Sequence, residues 1–141
     1  MTRTRRESLG FLVADLSRLM RRAFAQRIRD SSLTLAQARA LVYLSRNEGM
    51  RQVDLAAVLE VQPITLARLV DQLHAGGLVE RRADPADRRA YRLYLRPGAR
   101  APLEEIARVG AAVRAQALKG LSEREANATL EGLRRMRENL S

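Results

Sequence analysis

The chain has 141 residues, no cysteine, and a formal net charge of +10 from 26 basic and 16 acidic side chains. That length suits one domain with its own core, or a small module carrying an oligomerisation extension. Without cysteine there is no disulfide scaffold, thiolate metal site, cysteine nucleophile or thiol redox switch. No run approaches the ~18 apolar residues that a membrane-spanning helix needs.

Residues 1–7 form a polar, basic stretch without periodicity and are expected to be a flexible arm. The N-terminal segment keeps charges through its apolar part, so it does not read as a secretory signal, and the expected compartment is the cytoplasm. From about Ser8 to Ile28, apolar residues at Leu9, Leu12, Leu16, Leu19, Ala23 and Phe24 recur at helical spacing, which predicts an amphipathic helix. Asp30-Ser31-Ser32 breaks it. A second helix opens at Thr34, where Thr34 and Gln37 form a capping box. Ala38, Leu41, Val42 and Leu44 supply its buried face, and Asn47-Glu48-Gly49 ends it.

A third helix is expected over Gln52–Leu59 and a fourth from Pro63 to about Ala75, with proline at the first helical position, where a missing N–H costs nothing. Leu55, Val58, Leu59, Val61, Leu66, Leu69 and Leu73 are expected to pack this pair together, with the small Ala56 where they cross. Glu60 stands where a helix-turn-helix usually has glycine. Gly76-Gly77 stops the fourth helix. Two strands follow, Leu78–Arg82 and Ala90–Arg96, the second with a period of two in Tyr91, Leu93 and Leu95. Asp84-Pro85-Ala86-Asp87 is turn chemistry between them. Beyond Pro97-Gly98, an alanine-rich helix runs over about Pro102–Lys119. Ser122 and Glu125 then cap a last helix whose stripe is Ala126, Leu130, Leu133, Met136 and Leu140.

The fold so predicted is mainly α with a small β-hairpin. A winged helix-turn-helix DNA-binding unit at 31–97 lies between an N-terminal dimerisation helix at 8–30 and C-terminal dimerisation helices at 98–141. The terminal helices have apolar faces to bury, and a two-fold homodimer buries them most simply; covering the winged unit within a monomer is the other solution.

Arginine supplies every basic side chain except Lys119. A planar, permanently charged fork suits phosphates and guanine edges, although a GC-rich genome also enriches arginine, and net charge alone does not separate DNA from RNA or anionic lipid. The distribution says more. Residues 1–30 hold eight basic and three acidic side chains and residues 61–100 eight and four, whereas the remaining segments are near balance. On the fourth helix, Thr65 and Arg68 with Gln62 just before them make a polar stripe near the N-terminal end, the end that meets base edges. Arginine bonds guanine and glutamine bonds adenine bidentately; a solvated helix face is the plainer reading. The hairpin adds Arg81, Arg82, Arg88, Arg89, Arg92 and Arg96, with Arg88 as the tip residue suited to a narrow minor groove. Asp84 and Asp87 would repel phosphate and need another reason to be there: turn capping for Asp84, and arginine bracing in general.

The string PITLARLVDQL, the following G-L-V-E-R-R and the hairpin DPADRRAYRLYL with its D-x-R-R resemble the MarR family of bacterial regulators, especially its MarR/SlyA-type members. The resemblance covers essentially the whole chain. It implies a homodimer joined by the first and last two helices, acting on double-stranded DNA at a pseudo-palindromic operator, with half-sites roughly 34–36 Å apart. Carried onto this chain, it implies major-groove contacts from Thr65 and Arg68, with Gln62 and Pro63 beside them. It also implies a minor-groove contact from Arg88 flanked by Arg82 and Arg89, and an Asp87 that braces Arg68. Similar proteins release DNA when a small aromatic acid binds between the dimerisation helices and the winged unit. Arg18 and Arg21, with Met20 in the apolar wall, align with arginines that meet such a carboxylate; an Arg18–Asp15 ion pair is the plainer account of Arg18. No cofactor or metal is expected. His74 is the sole histidine, and no phosphate loop, G-x-S-x-G or H-E-x-x-H stretch is present, so an enzyme is not expected. The alternative within DNA binding is a nucleoid-type protein that coats DNA without preference.

Overall fold

The computed structural model describes residues 8–141, so the basic arm expected at 1–7 lies outside the described residues. The helices are α1 (Leu9–Ile28), α2 (Leu35–Arg46), α3 (Gln52–Leu59), α4 (Pro63–Ala75), α5 (Arg100–Ala117) and α6 (Glu123–Leu140), with a hairpin of β1 (Val79–Asp84) and β2 (Asp87–Leu95) after α4. Among the described residues, no helix is long and apolar enough to cross a membrane.

The helix starts are set by local chemistry. Ser8 accepts from the Phe11 N–H at the head of α1. Both predicted capping boxes form: Thr34 and Gln37 exchange hydrogen bonds of 3.1 and 2.9 Å, and Ser122 and Glu125 of 3.1 and 3.0 Å. Each satisfies donors that the first turn leaves open and contributes about 1 kcal/mol. Between α3 and α4, Glu60 takes the left-handed conformation (φ 55°, ψ 42°) that a glycine usually fills. Gly98 is required by a different constraint, because a Cβ there would lie 2.8 Å from the Gly77 carbonyl oxygen.

The core gathers Leu41 and Leu44 of α2, Leu55 and Leu59 of α3, Leu66, Val70 and Leu73 of α4, and Val79 and Leu93 of the hairpin, all buried. Ile28 and Ile106 close it from α1 and α5. Val58, expected in the helix-pair interface, is instead 46% exposed, because α3 turns Leu55, Ala56 and Leu59 inward and Val58 points off that arc.

The hairpin is longer than its alternating pattern predicted. Antiparallel pairing runs from Val79↔Leu95 to Ala83↔Tyr91, then jumps to Asp84↔Asp87. Arg88, Arg89 and Ala90 therefore have no partner opposite them and form a bulge on β2. A third, very short strand joins at the root: Gly49 N–H donates to Leu93, Leu93 N–H donates to Met50, and Arg51 bridges Arg92. The wing is thus tied to the loop between α2 and α3.

Outside this unit, α1 runs along α5, with Arg27 donating to Gln116 at 2.6 Å. Most of the apolar stripe of α1 stays uncovered, Leu9, Leu12, Leu16 and Leu19 all being exposed, and no residue of α6 is buried.

Candidate nucleic-acid interface

The reading face is built by α4 and the wing. Leu66, Val70 and Leu73 hold α4 onto the core, which leaves Gln62, Pro63, Thr65 and Arg68 exposed on its other side. Gln62 is in extended conformation just before the helix, makes no capping bond with its side chain, and so keeps its amide free.

Arg81 sets the angle of α4. It lies on β1 and points inward, where Nε donates to Gln52 at 2.9 Å, one terminal nitrogen to Asp71 at 2.6 Å and the other to the Ala67 carbonyl at 3.0 Å. One guanidinium thus fixes β1, the first turn of α3 and the middle of α4. At the far end of α4 the His74 ring donates to the Val79 carbonyl at 3.2 Å. The sole histidine is a strut between the helix and β1.

Asp84 organises the wing. Its side chain is buried, and Oδ2 lies 2.8 Å from Arg51 Nε and 3.2 Å from Arg92 Nε, while Oδ1 accepts the Ala86 N–H at 2.9 Å. The turn capping expected of Asp84 is present, together with two ion pairs that sequence reading did not find. The Ala86 N–H above all, and the two guanidiniums after it, outweigh the effect of burial and hold this carboxyl below the ordinary aspartate value. Arg92 also donates to the Gly49 carbonyl at 2.9 Å, so the same residues anchor the root of the hairpin.

Arg96 falls just beyond the end of β2, and the other five arginines expected on the hairpin consequently divide. Arg81 and Arg92 are structural. Arg82, expected among the DNA contacts, bonds Glu80 and lies over the Tyr94 ring at 3.8 Å from its centre. Arg88 and Arg89 sit in the unpaired bulge and are exposed, and none of the ion pairs among the described residues involves them or Arg68. A bulge re-aims side chains, and here both guanidinium-bearing residues are left exposed. The brace expected from Asp87 to Arg68 is not made. Asp87 accepts the Arg89 N–H at 3.0 Å instead, capping its own strand end, and Asp84 is the carboxylate that holds arginines.

A cleft of about 240 Å³ lies between α1, α2 and α5. Met20 and Arg21 line it as expected, with an apolar floor that includes Phe24, Val42 and Ile106. Arg18 does not line it and pairs with Asp15 at 3.5 Å. Arg39 and Tyr43 of α2 do line it; sequence reading assigned neither of them to a site.

A sequence model described as the MarR family matches residues 31–90. Among solved structures, MarR is 26% identical, covers 96% of this chain and 92% of its own, and superposes with a TM-score of 0.86. Wild-type MarR in its apo form from E. coli is 28% identical, with 92% and 96% covered and a TM-score of 0.80. A MarR family transcriptional regulator from Listeria monocytogenes, solved with a 26mer DNA, is 22% identical; 95% of this chain and 89% of that one are covered, and its TM-score of 0.79 establishes likeness of fold. Residues 31–90, the helix-turn-helix and most of the hairpin, thus match the MarR family model, and the likeness of fold to MarR transcriptional regulators extends over the whole described chain.

Proposed function

We propose that the protein is a homodimeric, sequence-specific repressor that blocks a promoter by binding a pseudo-palindromic operator, α4 lying in the major groove and Arg88 reaching the minor groove. The observation that carries this reading is that one winged unit exposes both Gln62, Thr65 and Arg68 at α4 and the unpaired Arg88 and Arg89 of the bulge. One set matches base edges, the other a narrow, strongly negative groove. The Listeria relative, solved with a 26mer DNA, supports DNA as the partner. The exposed stripe of α1 and the unburied α6 support the dimer, since each presents leucines that a second copy would cover.

The cleft supports a further part of the proposal, release by a small aromatic acid. Its apolar walls accept a ring, and Arg21 with Arg39 at the rim supplies the cations for a carboxylate. Arg39 thereby takes the part expected of Arg18.

Fluorescence anisotropy against DNA from upstream of the protein's own gene, with a scrambled duplex at the same near-physiological salt, tests the reading. Preference of ~10³-fold or more is expected, with release when aromatic acids are titrated in. Equal binding to every duplex drawn from a random pool, with a steep salt slope, would instead identify a nonspecific DNA coat.

A further inference from the structure

Ile64 is the second residue of α4 and is 66% exposed, more than any other large apolar side chain of the winged unit. The helix has inward positions for apolar groups and fills them with Leu66, Val70 and Leu73. Ile64 instead shares the outer side of the N-terminal turn with Gln62 and Thr65, and stands one turn before Arg68. Its neighbours are the side-chain types that bond adenine and guanine edges. A branched aliphatic group among them matches the one methyl group that unmodified B-DNA presents in its major groove, the C5-methyl of thymine.

We propose that Ile64 reads a thymine in each half-site through that methyl group. The inference rests on α4 lying in the major groove, and it adds a base and the atom by which it is recognised. Four residues along a helix span about 6 Å and successive base pairs are about 3.4 Å apart, so the thymine lies within about two base pairs of the one that Arg68 contacts.

The test begins with selection from duplexes of randomised centre, using the wild-type full chain and Ile64→Ala. In the enriched wild-type duplex each thymine is then replaced in turn by deoxyuridine, which removes only the methyl group. At one position per half-site, the replacement is expected to weaken wild-type binding about fourfold, the worth of one buried methyl. Ile64→Ala, which keeps its fold because the side chain is exposed, should be indifferent to the same change and should lose the thymine preference in selection. Specific binding that tolerates every deoxyuridine, or a penalty that persists in Ile64→Ala, overturns the role of Ile64 while leaving the major-groove reading intact. No enrichment of any duplex by the wild-type protein overturns both.

Discussion

Glu60 carries a Cβ in a backbone region that disfavours one, and it does so at the turn that aims α4. Left-handed conformation costs a non-glycine residue ~1–2 kcal/mol, so Glu60→Gly is expected to raise stability by about 1 kcal/mol in urea unfolding, and an unchanged midpoint would show the turn to be unstrained. Among the described residues Arg68 and Arg88 are both outside the ion pairs, and in the proposed complex they face different parts of a duplex. Arg88→Ala is expected to weaken binding to most sequences alike and to lower the salt slope by about 1, whereas Arg68→Ala should relax preference at particular bases. Equal, sequence-blind losses from both would contradict the division. In the cleft, Arg21→Ala and Arg39→Ala should blunt release by an aromatic acid and leave ligand-free DNA affinity unchanged. Arg18→Ala, held away by Asp15, should respond like wild type. Sensitivity lost only in Arg18→Ala would return the anion to Arg18.

At the scale of elements, the wing is held by one carboxylate. Because its folded pKa is depressed, Asp84 adds stability that is fully present above about pH 4, the ordinary aspartate range, and is lost as the pH falls through the lower folded value. Asp84→Asn should therefore lower Tm by several degrees from pH 5 to 8, and the gap from wild type should close in stronger acid. A pH-independent gap would mean that packing, not charge, sets the effect. This clasp also shows where the sequence was silent. The α4 boundaries were legible because Pro63 at its start and Gly76-Gly77 at its end act locally. Asp84 needs Arg51, 33 residues earlier, and no short-range pattern announces that pair. The third strand escaped notice for the same reason, being a single bridge too short to show alternation. The hairpin was read too short because the bulge at Arg88–Ala90 breaks the period of two at its tip. Arg39 was missed because a helix face that lines a shallow cleft looks, in sequence, like one that meets water.

For the whole molecule, the unburied leucines of α1 carry the expectation of a dimer. Leu12 and Leu16 are 50% and 46% exposed in the single chain, too apolar a stripe to leave beside the bare face of α6. Leu12→Asp with Leu16→Asp should convert a dimer to a monomer in sedimentation velocity and abolish preference for a two-half-site operator. A double variant that still sediments as a dimer would place the interface elsewhere. Within the chain, Arg81 and Asp84 together tie the wing to α4, because β1, β2, α3 and α4 are joined to one another through two side chains. Such ties favour movement as one body. In the proposed dimer, two such units joined by helices would act as a pair of calipers, whose adjustable quantity is the gap between the points. An operator lengthened by a few base pairs and a ligand wedged beside α1 would then be equivalent perturbations, one changing the object measured and the other the instrument.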